Sequence, residues 1–255
     1  MTTRLTTRGT TRSTTRGTSP APSFTPSSIA NLAVWLDAMD AGTVLRDTGS
    51  GFVPAANGEA VARWVDKSAN AHILAQTVSG NRPLLSTTTG PSNGRCLIFD
   101  GTDDRLVKTS PVFDFPCTVF SVVKLLTDLD IRYFWDTRAS MGRPGEINRT
   151  GGLRRNGSNI PTTTISQTVG DWDVITSEHS TTEIAFRKNG GTRLAQAQSV
   201  TPAGATGYVI GGLNPTTPTN FTHHALAEKI AFGRILNSTE QDKVRNYLKV
   251  KWGTP

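Results

Sequence analysis

The residues of this chain that could do chemistry are few and scattered. Sugar hydrolysis with retention needs two facing carboxylates about 5–5.5 Å apart. Glu178 and Glu183 flank a Ser/Thr-rich segment at a spacing that suits no single strand face, and Glu146 stands alone in an Arg-rich stretch. The four histidines, His72, His179, His223 and His224, have no Gly-x-Ser-x-Gly partner of the kind that presents a nucleophilic serine. His223 and His224 are adjacent, and neighbours on a strand point to opposite faces, so they seldom share an ion. Asp100, Asp103 and Asp104 cluster their carboxylates as calcium prefers, although six or more oxygen ligands are not visible. The same side chains serve equally as acceptors in a tight turn. No catalytic residue is assigned, no cofactor is expected, and these three aspartates stand only as calcium candidates.

Two tryptophans border a polar stretch from Asp136 to Asp171 that is rich in Gly, Asn, Thr and Arg. Trp135 and the loop arginines Arg138, Arg143, Arg149, Arg154 and Arg155 form the candidate ligand-binding set, because an aromatic face offers stacking and charged loops offer contacts. Trp172 is the other tryptophan that could meet a ligand, and a core position is the expectation for it. Cys96 and Cys117 lie in apolar, strand-like stretches and read as buried thiols.

The first eighteen residues form a Thr-Thr-Arg-x repeat that places Arg4, Arg8, Arg12 and Arg16 four apart, with no acidic residue before Asp37. One Leu and no aromatic give this arm nothing to bury against the entropy of ordering it, so it points to an assembly partner. Its threonines favour an added strand and its arginines favour carboxylates on a neighbouring subunit. Residues 19–28 are a Pro/Ser linker expected to hold the arm away from the body. The formal charge is +7, of which the arm carries four, leaving +3 on the rest. That residual field argues against nucleic acid as the partner. No apolar run is long enough for a membrane span, and the start lacks the apolar stretch of a signal peptide.

Short strands and turns fill the remainder, 29–255. Leu32–Ala38 reads as a buried strand, Arg95–Asp100 alternates with Leu97 and Phe99 on one face, and Cys117–Leu126 reads as a central strand covered on both sides. Asn189-Gly190 is a hairpin turn. The one helix begins at Ser238, read as N-cap with Gln241 three residues on, and carries Val244, Leu248 and Trp252 as an apolar stripe before Gly253.

Trp35-Leu36-Asp37-Ala38, Trp64-Val65-Asp66-Lys67-Ser68-Ala69-Asn70, Asn81-Arg82-Pro83, Leu97 to Asp104, Thr118 to Val123, Trp172-Asp173-Val174, Phe186 to Gly190, Ala227-Glu228 and Arg234 to Gly253 follow one another in this order. In that order they resemble the concanavalin A-like (laminin G-like) jelly-roll domains, and in particular versions found in phage structural proteins. The resemblance implies an all-β sandwich of two antiparallel sheets over roughly 31–253, with an extended N-terminal arm and a short C-terminal helix. It implies that Trp35, Trp64 and Trp252 are core and that Glu228 is structural. Related glucanases carry a Glu-x-Asp-x-x-Glu strand that this chain lacks, and the expectation is that the chain is not an enzyme. The function it suggests is a phage virion protein at the particle surface, made in the host cytoplasm. It would be a capsid decoration or head-fibre-like protein, homo-oligomeric and anchored to capsid or tail proteins by the arm. The competing expectation is a carbohydrate-binding adhesin that contacts host glycans.

Overall fold

In chain order the strands are β1 (Leu32–Asp37), β2 (Val44–Asp47), β3 (Phe52–Pro54), β4 (Arg63–Val65), β5 (Ile73–Ala75), β6 (Leu84–Ser86), β7 (Cys96–Asp100), β8 (Leu106–Lys108) and β9 (Cys117–Leu125). They continue with β10 (Arg132–Asp136), β11 (Gly145–Arg149), β12 (Gly152–Arg154), β13 (Trp172–His179), β14 (Glu183–Lys188), β15 (Leu194–Ala197), β16 (Tyr208–Ile210) and β17 (His223–Phe232), and a helix α1 (Ser238–Trp252) follows. This is a computed structural model, and it describes residues 24–114, 116–127, 132–137, 145–149, 152–154, 167–197 and 204–255. Arg4, Arg8, Arg12 and Arg16, and also Arg138, Arg143 and Arg155, lie outside the described residues.

The strands form two antiparallel sheets packed as a sandwich. One runs β15-β14-β13-β9-β17-β7-β6, with β1 also paired to β17, and the other runs β12-β11-β10-β16-β8-β5-β4-β2-β3. β17 is the centre of the first sheet. Along one edge it pairs with β9; along the other it pairs with β7 through residues 223–226 and then with β1 through 228–232. A bulge between Leu226 and Glu228 marks the changeover. It resets which residues face which side of the sheet.

Each face of the first sheet is covered. Leu97, Phe99, Val119, Val123, Ile175 and Leu226 point between the sheets. Phe120, Val122, Val174, Ile230 and Phe232 point outward and are covered by Val244, Leu248 and Trp252 of α1. The continuous apolar run of β9 follows from this double burial. The helix caps one residue earlier than Ser238. Asn237 is the N-cap, its side chain accepts from the Glu240 backbone N–H, and Glu240 returns the bond to the Asn237 N–H. Asn and Ser cap equally well and either could be paired three residues on, by Glu240 or Gln241; the charged Glu240 carboxylate makes the box with Asn237, while the Gln241 side chain donates instead to the Leu236 carbonyl. The linker expectation also changes at its end: Pro26–Ser28 form a 3-10 turn, and the Phe24 ring packs edge-on against Tyr247 at 6.1 Å.

One buried carboxylate fastens α1 to the sheet. Glu228 Oε1 accepts from Trp35 Nε1 at 2.7 Å and Tyr247 OH at 3.0 Å, while Oε2 accepts from Lys251 Nζ at 2.7 Å and Trp252 Nε1 at 2.5 Å. Lys251 also pairs with Asp37, which Lys67 contacts from the other side. Burial pushes Glu228 above the usual carboxylate range, against the pull of Lys251. Burial also opposes ionisation of Asp37, but Lys251 and Lys67 outweigh it and hold that carboxyl low. No helix among the described residues is long and apolar enough to cross a membrane.

Candidate functional site

A polar cleft lies where the start of β13, the turn after β14 and the end of α1 meet. The turn is built by Asn189 and Gly190, both at positive φ, as the Asn-Gly pair predicts. Asn189 ties it to β13 three times. Its backbone N–H donates to the Val174 carbonyl at 2.8 Å, its Oδ1 accepts from the Val174 N–H at 2.7 Å, and its Nδ2 donates to Asp173 Oδ1 at 2.9 Å. On the other wall α1 stops at Gly253, in the left-handed region with φ 61°. A Cβ there would meet Ser92 Oγ at 2.6 Å, and Ser92 itself donates to the Trp252 carbonyl at 2.8 Å.

Between these walls is an open cavity of about 460 Å³, lined by Ser92, Trp172, Asp173, Lys188, Asn189 and Thr254 among others. Trp172 is half-buried, with Lys124 Nζ 5.3 Å from its ring centroid. Asp173 is 2% exposed; Lys188 Nζ stands 3.6 Å from its Oδ1, and its Oδ2 accepts no hydrogen bond. Thr254, 4% exposed, leaves its Oγ1 without a partner as well. Buried polar atoms left unpaired cost about 1–3 kcal/mol each, and both of these oxygens are shielded from solvent.

The residues singled out by sequence fall elsewhere. Trp135 is 0% exposed, which corrects its assignment to a ligand-binding loop. It points between the sheets, with Phe113, His179 and Tyr208 rings 5.6–6.1 Å away and Lys229 Nζ 4.9 Å from its centroid. The stretch that follows it is polar, but its strand has an inner face. Arg149 and Arg154 lie on the β11–β12 hairpin at the edge of the second sheet. Trp172, expected in the core, packs partly buried against the outer core and also walls the cleft. No period or spacing in the sequence marked it as a cleft wall, because the Asn189-Gly190 turn and the end of α1 reach it only through the fold.

Asp100, Asp103 and Asp104 do come together, with carboxylate oxygens within 4.8 Å. The loop spends them on its own backbone. Asp100 Oδ1 accepts from the N–H groups of Thr102, Asp103 and Asp104, and Asp104 Oδ2 accepts from the Asp100 N–H. Burial, reinforced by Asp100 and Asp103, pushes Asp104 up to about 6. Calcium takes six to eight oxygens, and this cluster brings three carboxylates, one already saturated with N–H donors, so the fit is poor. Glu178 and Glu183 are bridged by Arg193, which holds both as charge partners. His224 is wholly buried, stacked on Phe99 at 4.5 Å and pushed down to about 3 by burial, while His223 bonds Thr127 Oγ1. Cys96 and Cys117 are buried and not in a disulfide.

The arrangement is a β-sandwich with a polar cleft walled on one side by the Trp172 indole. No family model matches the chain, and no curated protein matches it. Solved structures share the fold. A Trypanosoma rangeli sialidase in complex with sialic acid matches with a TM-score of 0.58 at 13% identity, over 89% of this chain and 34% of that one. A GH54 α-L-arabinofuranosidase soaked with a cyclic sulfate inhibitor matches at 0.61 and 9% identity, over 87% and 63%. A mutant of a GH54 arabinofuranosidase soaked with 4-nitrophenyl α-L-arabinofuranoside matches at 0.58 and 12%. The chain thus spans about a third of the sialidase and under two thirds of the arabinofuranosidases.

These likenesses establish the fold: a sandwich of two antiparallel sheets, as the sequence resemblance implied. The expectation that the chain is not an enzyme is withdrawn, because these matched structures are a sialidase and arabinofuranosidases; at 9–13% identity what they share with this chain is the fold. The lack of a Glu-x-Asp-x-x-Glu strand excludes one glucanase pattern and not sugar hydrolysis in this architecture. They also lend nothing to the phage part of the resemblance, since these neighbours are not phage proteins.

Proposed function

We propose that this chain binds neutral carbohydrate in the cleft between Trp172 and the end of α1. The observation that carries the reading is Trp172: a half-buried indole on the wall of a cavity that is otherwise lined by polar side chains. A sugar ring supplies both complements, a C–H face for the indole and hydroxyls for the accessible polar groups of Asp171, Lys188 and Asn189. Two carboxylates, Asp171 and Asp173, line the cavity with one cation, Lys188, which faces Asp173, so the cavity favours a neutral sugar such as an arabinofuranoside over an acidic one such as sialic acid. The likeness to concanavalin A-like and laminin G-like domains, a family that includes lectins, supports the same reading. Asp171 and Asp173 both line the cavity and are the carboxylates hydrolysis would draw on there.

A glycan array probed with the full chain tests this, with hydrolysis products measured alongside. Retention of neutral glycans, reduced about tenfold or more in both Trp172→Ala and Asp173→Asn, is the expected result. No retained glycan, or two folded variants that bind like the parent, overturns it.

The Thr-Thr-Arg repeat favours a second reading, in which the arm anchors the sandwich to capsid or tail subunits of a virion and displays the cleft outward as part of a homo-oligomer. Removing residues 1–23, which spares the packed Phe24 and the Pro26–Ser28 turn, should leave a folded body that no longer attaches to particles. Equal attachment by the trimmed body refutes the anchor.

A further inference from the structure

The cavity beside Trp172 does not end at Asn189. A second hollow of about 200 Å³ continues from it, and Asn189 and Pro255 line both. Its far wall is α1, whose Asp242, Arg245, Asn246 and Lys249 recur at helical spacing and so form one ridge along the groove. From Asp242 to Trp252 the helix rises about 15 Å, longer than a single sugar ring. The two hollows carry small and opposite charge excesses. The first sets Asp171 and Asp173 against Lys188, which faces Asp173, and the second sets Asp242 against Arg245 and Lys249, with Arg245 donating to Asp242 Oδ1 at 2.6 Å and to Gln241 Oε1 at 3.0 Å. Asn246 and Lys249 are exposed on the ridge, where an amide and an ammonium can meet hydroxyl oxygens.

We infer that the ligand is a linear, neutral oligosaccharide lying along α1, with one sugar unit against Trp172 and Asp173 and the next against Asn246 and Lys249. This rests on the carbohydrate reading above and adds its chain length and direction. It makes Asn246 and Lys249 specificity-determining residues for length. Neither touches the first unit, so each should matter only to ligands of two units or more.

Calorimetric titration of the full chain with L-arabinose, α-1,5-arabinobiose and α-1,5-arabinotetraose, and in parallel with glucose, maltose and maltotetraose, tests it. In at least one series the two-unit probe should bind about tenfold tighter than the monosaccharide. Asn246→Ala and Lys249→Ala should erase that gain while leaving monosaccharide binding unchanged. Both positions are exposed on a helix that Ala favours, so the variants fold. Equal affinity for one and four units, or a length gain that survives both substitutions, overturns the extended groove and leaves the single-sugar site standing. No heat with any probe in either series overturns both.

Discussion

Replacing Glu228 by Gln should loosen α1 from the sheet. The carboxylate receives two donors on each oxygen, from Trp35 and Tyr247 on Oε1 and from Lys251 and Trp252 on Oε2. A glutamine keeps the shape but turns one oxygen into an NH₂: on the Oε2 side it confronts two pure donors, Lys251 and Trp252, and on the Oε1 side it confronts Trp35, while the Tyr247 hydroxyl can turn to accept. One or two hydrogen bonds to a charged partner are lost, each about 1.5–3 kcal/mol, together with the carboxylate charge beside Lys251. Lys251 keeps Asp37 at 2.7 Å, which limits the damage to the cation. The expected cost is therefore about 3–5 kcal/mol, the range found when a buried ion pair loses one member. For a chain of this size that corresponds to a fall in Tm of roughly 6–20 °C. Urea denaturation followed by far-UV circular dichroism reads the total. Hydrogen exchange locates it, because amides of α1 should lose protection before those of β9 and β17. Saccharide binding should weaken too, since α1 is one wall of the groove. A variant within about 1 kcal/mol of the parent, or one whose helix and sheet lose protection together, refutes the idea that this carboxylate holds the helix down.

Two further outcomes are expected. Asp104 titrates near 6 in the folded chain and about 4 unfolded, so between those values the unfolded state ionises first and stability falls as pH rises, the loss being complete above about 6. Asp104→Asn should therefore gain stability relative to the parent between pH 4 and pH 7 in urea titrations; a difference that stays constant contradicts the buried-carboxyl account. Asn189→Gly keeps the left-handed turn but removes the bonds to Val174 and Asp173, and should cost about 1–3 kcal/mol with weaker binding to the cleft, whereas parent-like stability and binding would show that the side chain does not brace that wall.

What the sequence disclosed and what it withheld follow a physical divide. Patterns that depend on period were readable: the apolar run of β9, the Leu97/Phe99 face of β7, the Asn189-Gly190 turn and the Val244–Leu248–Trp252 stripe all appear where periodicity and turn chemistry put them. Features that depend on which distant chains meet were not. Trp135 and Trp172 look alike in sequence, each at one border of the same polar stretch. Only the inward face of β10 and the rim position of β13 send one into the core and the other into a cleft. Asp173 gave no signal of its own. Its significance arises because Thr254, Ser92 and the Asn189 turn, far apart in sequence, converge on it. The carboxylates that did cluster in sequence, Asp100, Asp103 and Asp104, are occupied by their own loop.

The place of β17 in the first sheet has a consequence for synthesis. Its neighbours β1, β7 and β9 are all made more than ninety residues before it in the chain, and each offers it an edge. Until Phe232 has left the ribosome those three edges have no common partner, and the outward face of the sheet lacks α1 as well. A chain elongating at about 5–20 residues per second therefore spends several seconds with its strands exposed. Unpaired apolar edges of that kind are where neighbouring nascent chains join. The exposure ends only when one strand, inserted last and in the middle, turns separate hairpins into a sheet.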